Sequence, residues 1–85
     1  MQKDIIVRIK NGDKEAFEQL YNEYIEYALR TATAITRNKP DAADAVQETF
    51  IRVFRNIMFF DEERPFKPWF YRILVNECNR IMKQK

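Results

Sequence analysis

The most regular pattern of apolar and polar positions in the chain lies in residues 41–60. On a helical projection of about 100° per residue, one arc is apolar and contains Ala42, Ala43, Val46, Thr49, Phe50, Val53, Phe54 and Ile57. The opposite arc is polar and contains Asp41, Asp44, Glu48, Arg52 and Arg55, with Gln47 and Ile51 at its border. The segment is therefore predicted to be a helix up to Met58, whose apolar arc is buried against other helices, and whose other arc faces outward.

The residues before this segment also predict helices. Residues 4–10 form a short apolar run of one or two helical turns, and Asn11-Gly12 marks a turn. Asp13 then stands where a helix N-cap is expected. From Phe17 onward, apolar residues recur at helical spacing as Phe17, Leu20, Tyr21, Tyr24, Ala28, Leu29, Ala32 and Ile35. No glycine or proline falls between Asp13 and Lys39, so this part is either one long helix or two closely joined helices.

Two breaks separate the helical segments. Residues 37–40 interrupt the pattern, with Asn38 expected to adopt a left-handed cap and the central helix to open at Pro40 or Asp41. Residues 59–67 are expected to form a loop with aromatic residues at both ends. Pro68 fits the first turn of a final helix that runs to about Met82.

Composition narrows the fold and function. Eighty-five residues with one glycine, three prolines and 46% hydrophobic residues indicate one small all-α domain, a bundle of about four helices. We expect no membrane span and no secretory signal, because no long apolar run or leader pattern is present. A single cysteine and the absence of histidine exclude an intramolecular disulfide and the usual zinc sites. We therefore expect no cofactor, no metal and no catalytic residue.

Charge is unevenly distributed along the chain. Residues 1–63 contain 9 Lys or Arg against 12 Asp or Glu, a net charge of −3, whereas residues 64–85 contain 6 against 1, a net charge of +5. Such asymmetry is typical of a protein with two different partner surfaces, although ordinary solubilising charge explains it equally well.

The last helix has a polar outer face. Its inward arc consists of Phe70, Ile73, Leu74 and Ile81, with Glu77 as an unexpected acidic member. Its outward arc contains Arg72, Asn76, Asn79 and Lys83, and Trp69 falls at its edge. Such a face suits single-stranded nucleic acid, since aromatic rings stack on bases and cations follow the backbone. The alternative is a solvated face with Trp69 in the core.

Two further features have alternative interpretations. Phe59, Phe60 and Phe66 lie in a charged loop, where they either pack against the bundle or line a pocket for an unstacked base. Asp44, Gln47 and Glu48 form an acidic-polar patch beside the apolar Ile51, which is either a solvated face or a surface that docks on a partner helix.

Three blocks of this sequence resemble region 2 of sigma-70-type sigma factors, most closely the extracytoplasmic-function group. They are GDKEAFEQLYNEY, DAADAVQETFIRVFRNI and FKPWFYRILVNE, in the family's order. The resemblance favours two helices before residue 39, with a bend near residues 24–27. It also implies a single region 2 domain over residues 1–85, without the family's region 4 domain, which reads the −35 element.

The resemblance implies that the domain recognises and melts the promoter −10 element on the non-template strand, with one flipped base held by the loop. The DNA-binding residues would be Phe60, Asp61, Arg64, Phe66, Lys67, Trp69, Tyr71, Arg72, Asn76, Asn79 and Lys83. Position 80 is Arg where a further base-reading residue is expected, which leaves the base preference open.

The resemblance further implies docking on the β′ clamp helices of core RNA polymerase in the bacterial cytoplasm, and control by an anti-sigma factor. The polymerase-binding residues would be Asp41, Asp44, Gln47, Glu48, Ile51 and Arg55. The alternative is a helical protein-interaction module without DNA binding, which the basic stripe of the last helix disfavours. An enzyme is the weakest interpretation.

Overall fold

The computed structural model describes residues 2–84, and within them it contains four α-helices, one 3₁₀ helix and no strand. The elements are α1 (Gln2–Lys10), α2 (Lys14–Thr36), α3 (Lys39–Asn56), the 3₁₀ helix Ile57–Phe59 and α4 (Phe66–Lys83). The predicted all-α bundle of about four helices is confirmed. Among residues 2–84, no helix combines the length and the apolar character needed to cross a membrane.

The turn between α1 and α2 follows the sequence signals. Gly12 has a positive φ of 87°, and Asp13 caps α2 as predicted. Its Oδ1 accepts hydrogen bonds from the backbone amides of Glu15 (3.0 Å) and Ala16 (3.4 Å). The hydrogen bond from Arg8, reinforced by those amides, lowers the pKa of the Asp13 carboxyl. Its contribution to stability is therefore complete above the ordinary aspartate pKa and is lost as the pH falls through the lowered value.

The helix α2 is continuous over 23 residues, so the bend expected near residues 24–27 is wrong. Its buried residues are Ala16, Leu20, Tyr24, Ala28 and Ala32. They recur every fourth residue and form one continuous stripe that winds about 160° around the helix. Both α3 and α4 pack on α2, and the fully buried alanines let the neighbouring helices approach closely. A continuous helix with one such stripe needs no break.

The short connection from α2 to α3 corrects two details. The left-handed residue is Arg37, with φ 54°, and not Asn38. Asn38 is extended, with φ −152°, because its side chain caps α3 by accepting a hydrogen bond from the amide of Asp41 at 2.9 Å. The helix begins at Lys39, one residue before the predicted start at Pro40 or Asp41.

The central helix, predicted to continue to Met58 before the loop over residues 59–67, is shorter as an α-helix. The α-helix ends at Asn56, and the chain tightens into the 3₁₀ helix before Phe60 becomes extended. Within α3, Ala43 is exposed where the projection placed it in the buried arc, and Ala45 is buried instead. Ala43 faces an open groove between α2 and α3, whereas the opposite edge of the arc is covered by α4.

An aromatic cluster joins α2, α3 and α4 at the centre of the bundle. The ring of Phe70, which is fully buried, lies 5.1 Å from Tyr24, 5.3 Å from Phe50 and 5.8 Å from Phe66, measured between ring centroids. The helix α4 begins at Phe66, so Pro68 falls in its first turn as predicted, and it ends at Lys83. Phe70 is thus the residue through which three helices share one core.

The acidic residue on the inward arc of α4 is buried in an ion-pair cluster. Glu77 is only 5% exposed, and its carboxylate contacts Arg52 of α3 and Arg80 of α4. The Arg52 Nε lies 2.7 Å from Glu77 Oε2 as a close ion pair, without the alignment of a full hydrogen bond. Arg52 also lies 3.7 Å from Glu48, so the cluster extends to the outer face of α3.

Candidate nucleic-acid interface

A depression of about 380 Å³ opens where the 3₁₀ helix, the following loop and α4 meet. It is lined by Phe59, Phe60, Asp61, Arg64, Pro65, Pro68, Trp69 and Arg72. The 3₁₀ helix produces the depression by turning two neighbouring rings in opposite directions. Phe59 is 85% exposed, while Phe60 is 6% exposed and belongs to the core.

The floor of the depression is aromatic. The Phe60 and Trp69 rings lie 4.5 Å apart and are tilted by 33°, and the edge of Phe66 meets Phe60 at 5.8 Å. Phe66 is 1% exposed and lies beneath this floor. Phe60 therefore packs the bundle and lines the depression at once, so the two interpretations of the loop phenylalanines are not exclusive. The accessible aromatic surface comes from Phe59 and the half-buried Trp69.

The rim of the depression is polar. Asp61 Oδ1 accepts a hydrogen bond from the Glu63 amide at 2.9 Å, and the Arg64 amide donates to the Asp61 carbonyl at 3.0 Å. The guanidinium of Arg64 lies 3.7 Å from the Asp61 carboxylate. Together with the exposed Arg72, these side chains place hydrogen-bond donors and acceptors around an apolar floor. This combination matches the face and the edges of a nucleobase.

The loop below the rim is held from the other end of the chain. Lys10 of α1 donates hydrogen bonds to the Phe60 carbonyl and to Glu62 Oε1, both at 2.5 Å. The bond from Lys10 lowers the pKa of the Glu62 carboxyl. A second ion pair joins Lys3 to Glu63 at 2.6 Å. The sequence carried no signal for these contacts, because the partners are about fifty residues apart.

The outer face of α4 continues from the depression toward the C-terminal end of the helix. The exposed residues along it are Arg72, Asn76, Asn79 and Lys83, whereas Tyr71 is exposed about 100° around the helix, on the side of Lys67. Lys67 is exposed at the start of the helix, where its ammonium lies 4.5 Å above the ring of Tyr27. Arg80 lies on the same helix but is bound to Glu77.

The predicted DNA-binding residues thus fall into two groups. Around the depression lie Phe60, Asp61, Arg64, Trp69 and Arg72, above the buried Phe66. Along α4 lie Tyr71, Asn76, Asn79 and Lys83, with Lys67 directed toward Tyr27. The predicted set omitted Phe59, although three apolar residues in succession, Met58 to Phe60, signal that not all of them can face the core.

The polar face of α3 borders a second, apolar depression. Asp44, Gln47, Ile51 and Arg55 are exposed, and Asp41 and Glu48 are half-buried. A groove of about 490 Å³ between α2 and α3 is lined by Tyr21, Ile25, Leu29, Ala43, Val46, Gln47, Phe50, Ile51 and Phe54. Gln47 and Ile51 belong both to the polar face and to the groove. An apolar groove beside acidic side chains has the character of a helix-docking surface.

Comparison with known proteins identifies the same family that the sequence resembles. The family model described as Sigma-70 region 2 matches residues 20–85. The chain is 37% identical to the ECF RNA polymerase sigma factor SigW of Bacillus subtilis, covering 100% of this chain and 46% of that protein. It is 39% identical to the ECF RNA polymerase sigma-E factor of Haemophilus influenzae, covering 92% and 41%. The chain therefore spans less than half the length of these curated relatives.

Two solved structures share the fold. An NMR structure of an engineered region 2 of sigmaE in complex with GTAAAA superposes with a TM-score of 0.91 at 30% identity, covering 99% of this chain and 87% of that one. A structure of CnrH in complex with the cytosolic domain of CnrY superposes with a TM-score of 0.86 at 26% identity, covering 93% and 51%.

Proposed function

The chain belongs to the sigma-70 region 2 family, and on that premise we propose that it captures the non-template strand of the promoter −10 element while docked on core RNA polymerase. One observation carries this proposal. The aromatic depression with its polar rim opens directly onto the basic outer face of α4. A domain of the same fold, the engineered region 2 of sigmaE, is solved in complex with GTAAAA. The chain would act as a single region 2 domain over residues 1–85 and has no catalytic role in this proposal.

The depression suits one base removed from the stack. Unstacking a base costs on the order of a few kcal/mol, so the receiving site must return a comparable free energy. An exposed Phe59 and a half-buried Trp69 provide apolar faces for the base. Asp61, Arg64 and Arg72 provide groups that can hydrogen-bond its edges. Melting would then follow from capture, because a base held in the depression cannot return to the duplex.

The outer face of α4 would guide the rest of the strand. Asn76 and Asn79 can hydrogen-bond bases through their amides, while Arg72 and Lys83 attract phosphates. The strand would therefore run from the depression along the helix, and affinity would depend on salt as well as on sequence.

We expect Lys83→Ala to weaken binding to every single strand by a similar factor, and to lower the slope of log affinity against log salt by about 0.7. A phosphate contact carries no sequence information, so the ranking of strands should not change. Titrations at several salt concentrations measure both quantities. Arg30→Ala on the outer face of α2 removes the same charge and is the control. A loss confined to one strand sequence would show that Lys83 reads a base.

Docking on polymerase is assigned to α3 and the adjoining groove. The β′ clamp helices would lay an apolar face in the groove between α2 and α3, where Tyr21, Leu29 and Ile51 are each exposed to about 40%. Basic groups on the partner would meet Asp44 and Glu48. The six predicted polymerase-binding residues of α3, from Asp41 to Arg55, lie on or beside this surface.

We expect Asp44→Lys to weaken binding to core RNA polymerase, and to do so more at low salt than at high salt. Asp44 is exposed on α3, so its reversal should leave the fold intact. It is a cleaner test than a change at Glu48, which lies near Arg52. Affinity is measured by titration against core enzyme, with Glu26→Lys on α2 as the control of equal charge. Equal affinities of the two variants would exclude this face of α3.

The same groove is proposed to bind an anti-sigma factor. CnrH, which shares the fold, is solved with the cytosolic domain of CnrY. Occupation of the groove by such a partner would exclude polymerase by competition. The site of action would be the bacterial cytoplasm, where polymerase and promoter DNA are found.

The test of the whole proposal is retention of core RNA polymerase by this domain, followed by crosslinking to a −10 oligonucleotide. Recovery of polymerase together with a crosslink to the loop or to α4 is expected. Polymerase binding without any strand binding would favour the alternative, a helical protein-interaction module, for which the apolar groove alone is sufficient. Failure to bind either partner would exclude both functions.

A further inference from the structure

Two side chains of α1 reach the loop of the proposed base site, and Lys10 is the more enclosed of the two, since the other contact is the exposed Lys3–Glu63 ion pair. The Lys10 ammonium donates to the Phe60 carbonyl and to the Glu62 carboxylate. The side chain of Lys10 is 21% exposed, so the ammonium is largely enclosed by these partners. The helix α1 lies before residue 20, where the family match begins, and none of its residues lines the depression.

The two acceptors of Lys10 belong to the part of the loop that shapes the depression. The Phe60 carbonyl follows directly on the ring that forms the floor, and Glu62 comes one residue after the rim residue Asp61. The loop has its own local turn, made by the Asp61 side chain and the Glu63 amide. That turn holds the loop residues in place relative to one another. Lys10 fixes it relative to the bundle.

We propose that Lys10 is a positioning residue, which holds Phe60 and the following loop in the shape that accepts a base before DNA arrives. This inference rests on the proposed function. Ordering a backbone segment costs free energy, and that cost reduces affinity when it falls on the binding step. Because Lys10 orders the loop when the domain folds, the free energy of ordering does not reduce the affinity for DNA. Lys10 itself does not touch the strand.

The expected effect is a selective loss of base capture. Lys10→Met retains the length and apolar stem of the side chain and removes the ammonium. We expect it to reduce the affinity gained from the captured base by about tenfold, the factor that follows from ordering a single loop residue. Affinity for a strand that lacks that base should fall no more than in Lys14→Met, which removes the same charge from the exposed start of α2.

The experiment uses the full chain and a single-stranded GTAAAA oligonucleotide, together with six versions that each lack one base. The wild type first identifies the position whose removal costs most affinity. Lys10→Met, Lys14→Met and Glu62→Gln are then titrated against the intact strand and that abasic strand. Glu62→Gln leaves α1 unchanged and weakens only one of the two contacts. It is expected to lose about threefold, with the same dependence on the base.

Hydrogen exchange gives an independent measurement. Amides of residues 61–64 should exchange faster in Lys10→Met, while the protection of α3 and α4 stays at the wild-type level. Should Lys10→Met fail to fold, the result for Glu62→Gln decides the question, because Glu62 lies in the loop and its change spares the core. In that case the proposal is overturned if Glu62→Gln prefers the intact strand over the abasic strand as strongly as the wild type does.

The outcomes separate this inference from the proposed function. If the wild type binds the intact strand and all six abasic strands equally, no base is captured, and both fail. If the wild type prefers the intact strand and Lys10→Met prefers it as strongly, the positioning role is overturned and base capture stands. If Lys10→Met weakens all strands alike and more than Lys14→Met does, Lys10 contacts phosphate and is not a positioning residue.

Discussion

Replacement of Phe70 by alanine is expected to destabilise the domain more than any other change considered, by about 3–5 kcal/mol. Phe70 is fully buried, and its ring contacts aromatic residues of α2 and α3 as well as Phe66 of its own helix. The cavity left by the ring would be shared by three helices, none of which can close it alone. Domains of this size are stable by only roughly 5–15 kcal/mol.

The free energy of unfolding is measured by urea denaturation, and the thermal midpoint by circular dichroism. A loss of this size should lower the midpoint by at least about 12 °C in a domain of 60–100 residues. Tyr71→Ala is the matched control, because Tyr71 is the next residue on α4 and is exposed. It is expected to change stability by less than about 1 kcal/mol. Equal midpoints for the two variants would show that α4 does not pack through this face.

Phe59→Ala is expected to weaken binding to the −10 strand by about tenfold to a hundredfold, which corresponds to the 1–3 kcal/mol of one base stacked on an aromatic ring. Phe59 is 85% exposed, so its removal should leave the free energy of unfolding nearly unchanged. This separation of binding from stability distinguishes Phe59 from Phe60. Phe60→Ala would disturb the core as well as the site, because Phe60 is buried beside Trp69 and Phe66.

The control for Phe59 is Met58→Ala. Met58 is the adjacent apolar residue, is also exposed and does not line the depression. The loss in Phe59→Ala should shrink on a strand that lacks the captured base, since the partner of the ring is then already absent. A loss of the same size on intact and abasic strands would show that Phe59 does not stack on that base. A loss of the same size in Met58→Ala would indicate general apolar attraction.

Local signals in the sequence predicted much of the fold. Asp13 after Asn11-Gly12 could be identified as a cap, and Pro68 as a first-turn residue, because both depend only on backbone chemistry within a few residues. The junction after α2 was harder. Arginine rarely adopts a positive φ, so the choice between Arg37 and Asn38 depended on which of them caps the next helix.

Features that depend on neighbouring helices could not be predicted. Ala43 and Ala45 lie on opposite sides of the apolar arc of α3, about 160° apart on the projection, and the position of α4 decides which one is buried. The length of α2 was misjudged because the expected bend came from resemblance, whereas its own residues allowed a single helix.

In the candidate site, too, features set by local periodicity could be predicted, and features set by contacts across the bundle could not. The periodicity of α4 identified its outward residues, since a helix displays them at fixed spacing. The irregular 3₁₀ helix has no such periodicity, so the orientations of Phe59 and Phe60 were not predictable. The role of Lys10 depends on a contact across the bundle, for which the sequence offers no local signal.

The buried Glu77 sets the rotational register of α4. One residue position corresponds to a rotation of about 100°, which would carry the carboxylate away from Arg52 and break the ion pair between α3 and α4. Hydrophobic packing alone tolerates small rotations of a helix, but an ion pair between α3 and α4 does not. The outward residues of α4 could therefore be exchanged, to test the base contacts proposed for them, with the helix held in the same orientation. A redesign that also replaced Glu77 or Arg52 would remove the ion pair that fixes the rotation of α4, and the outward residues would then no longer have a defined orientation.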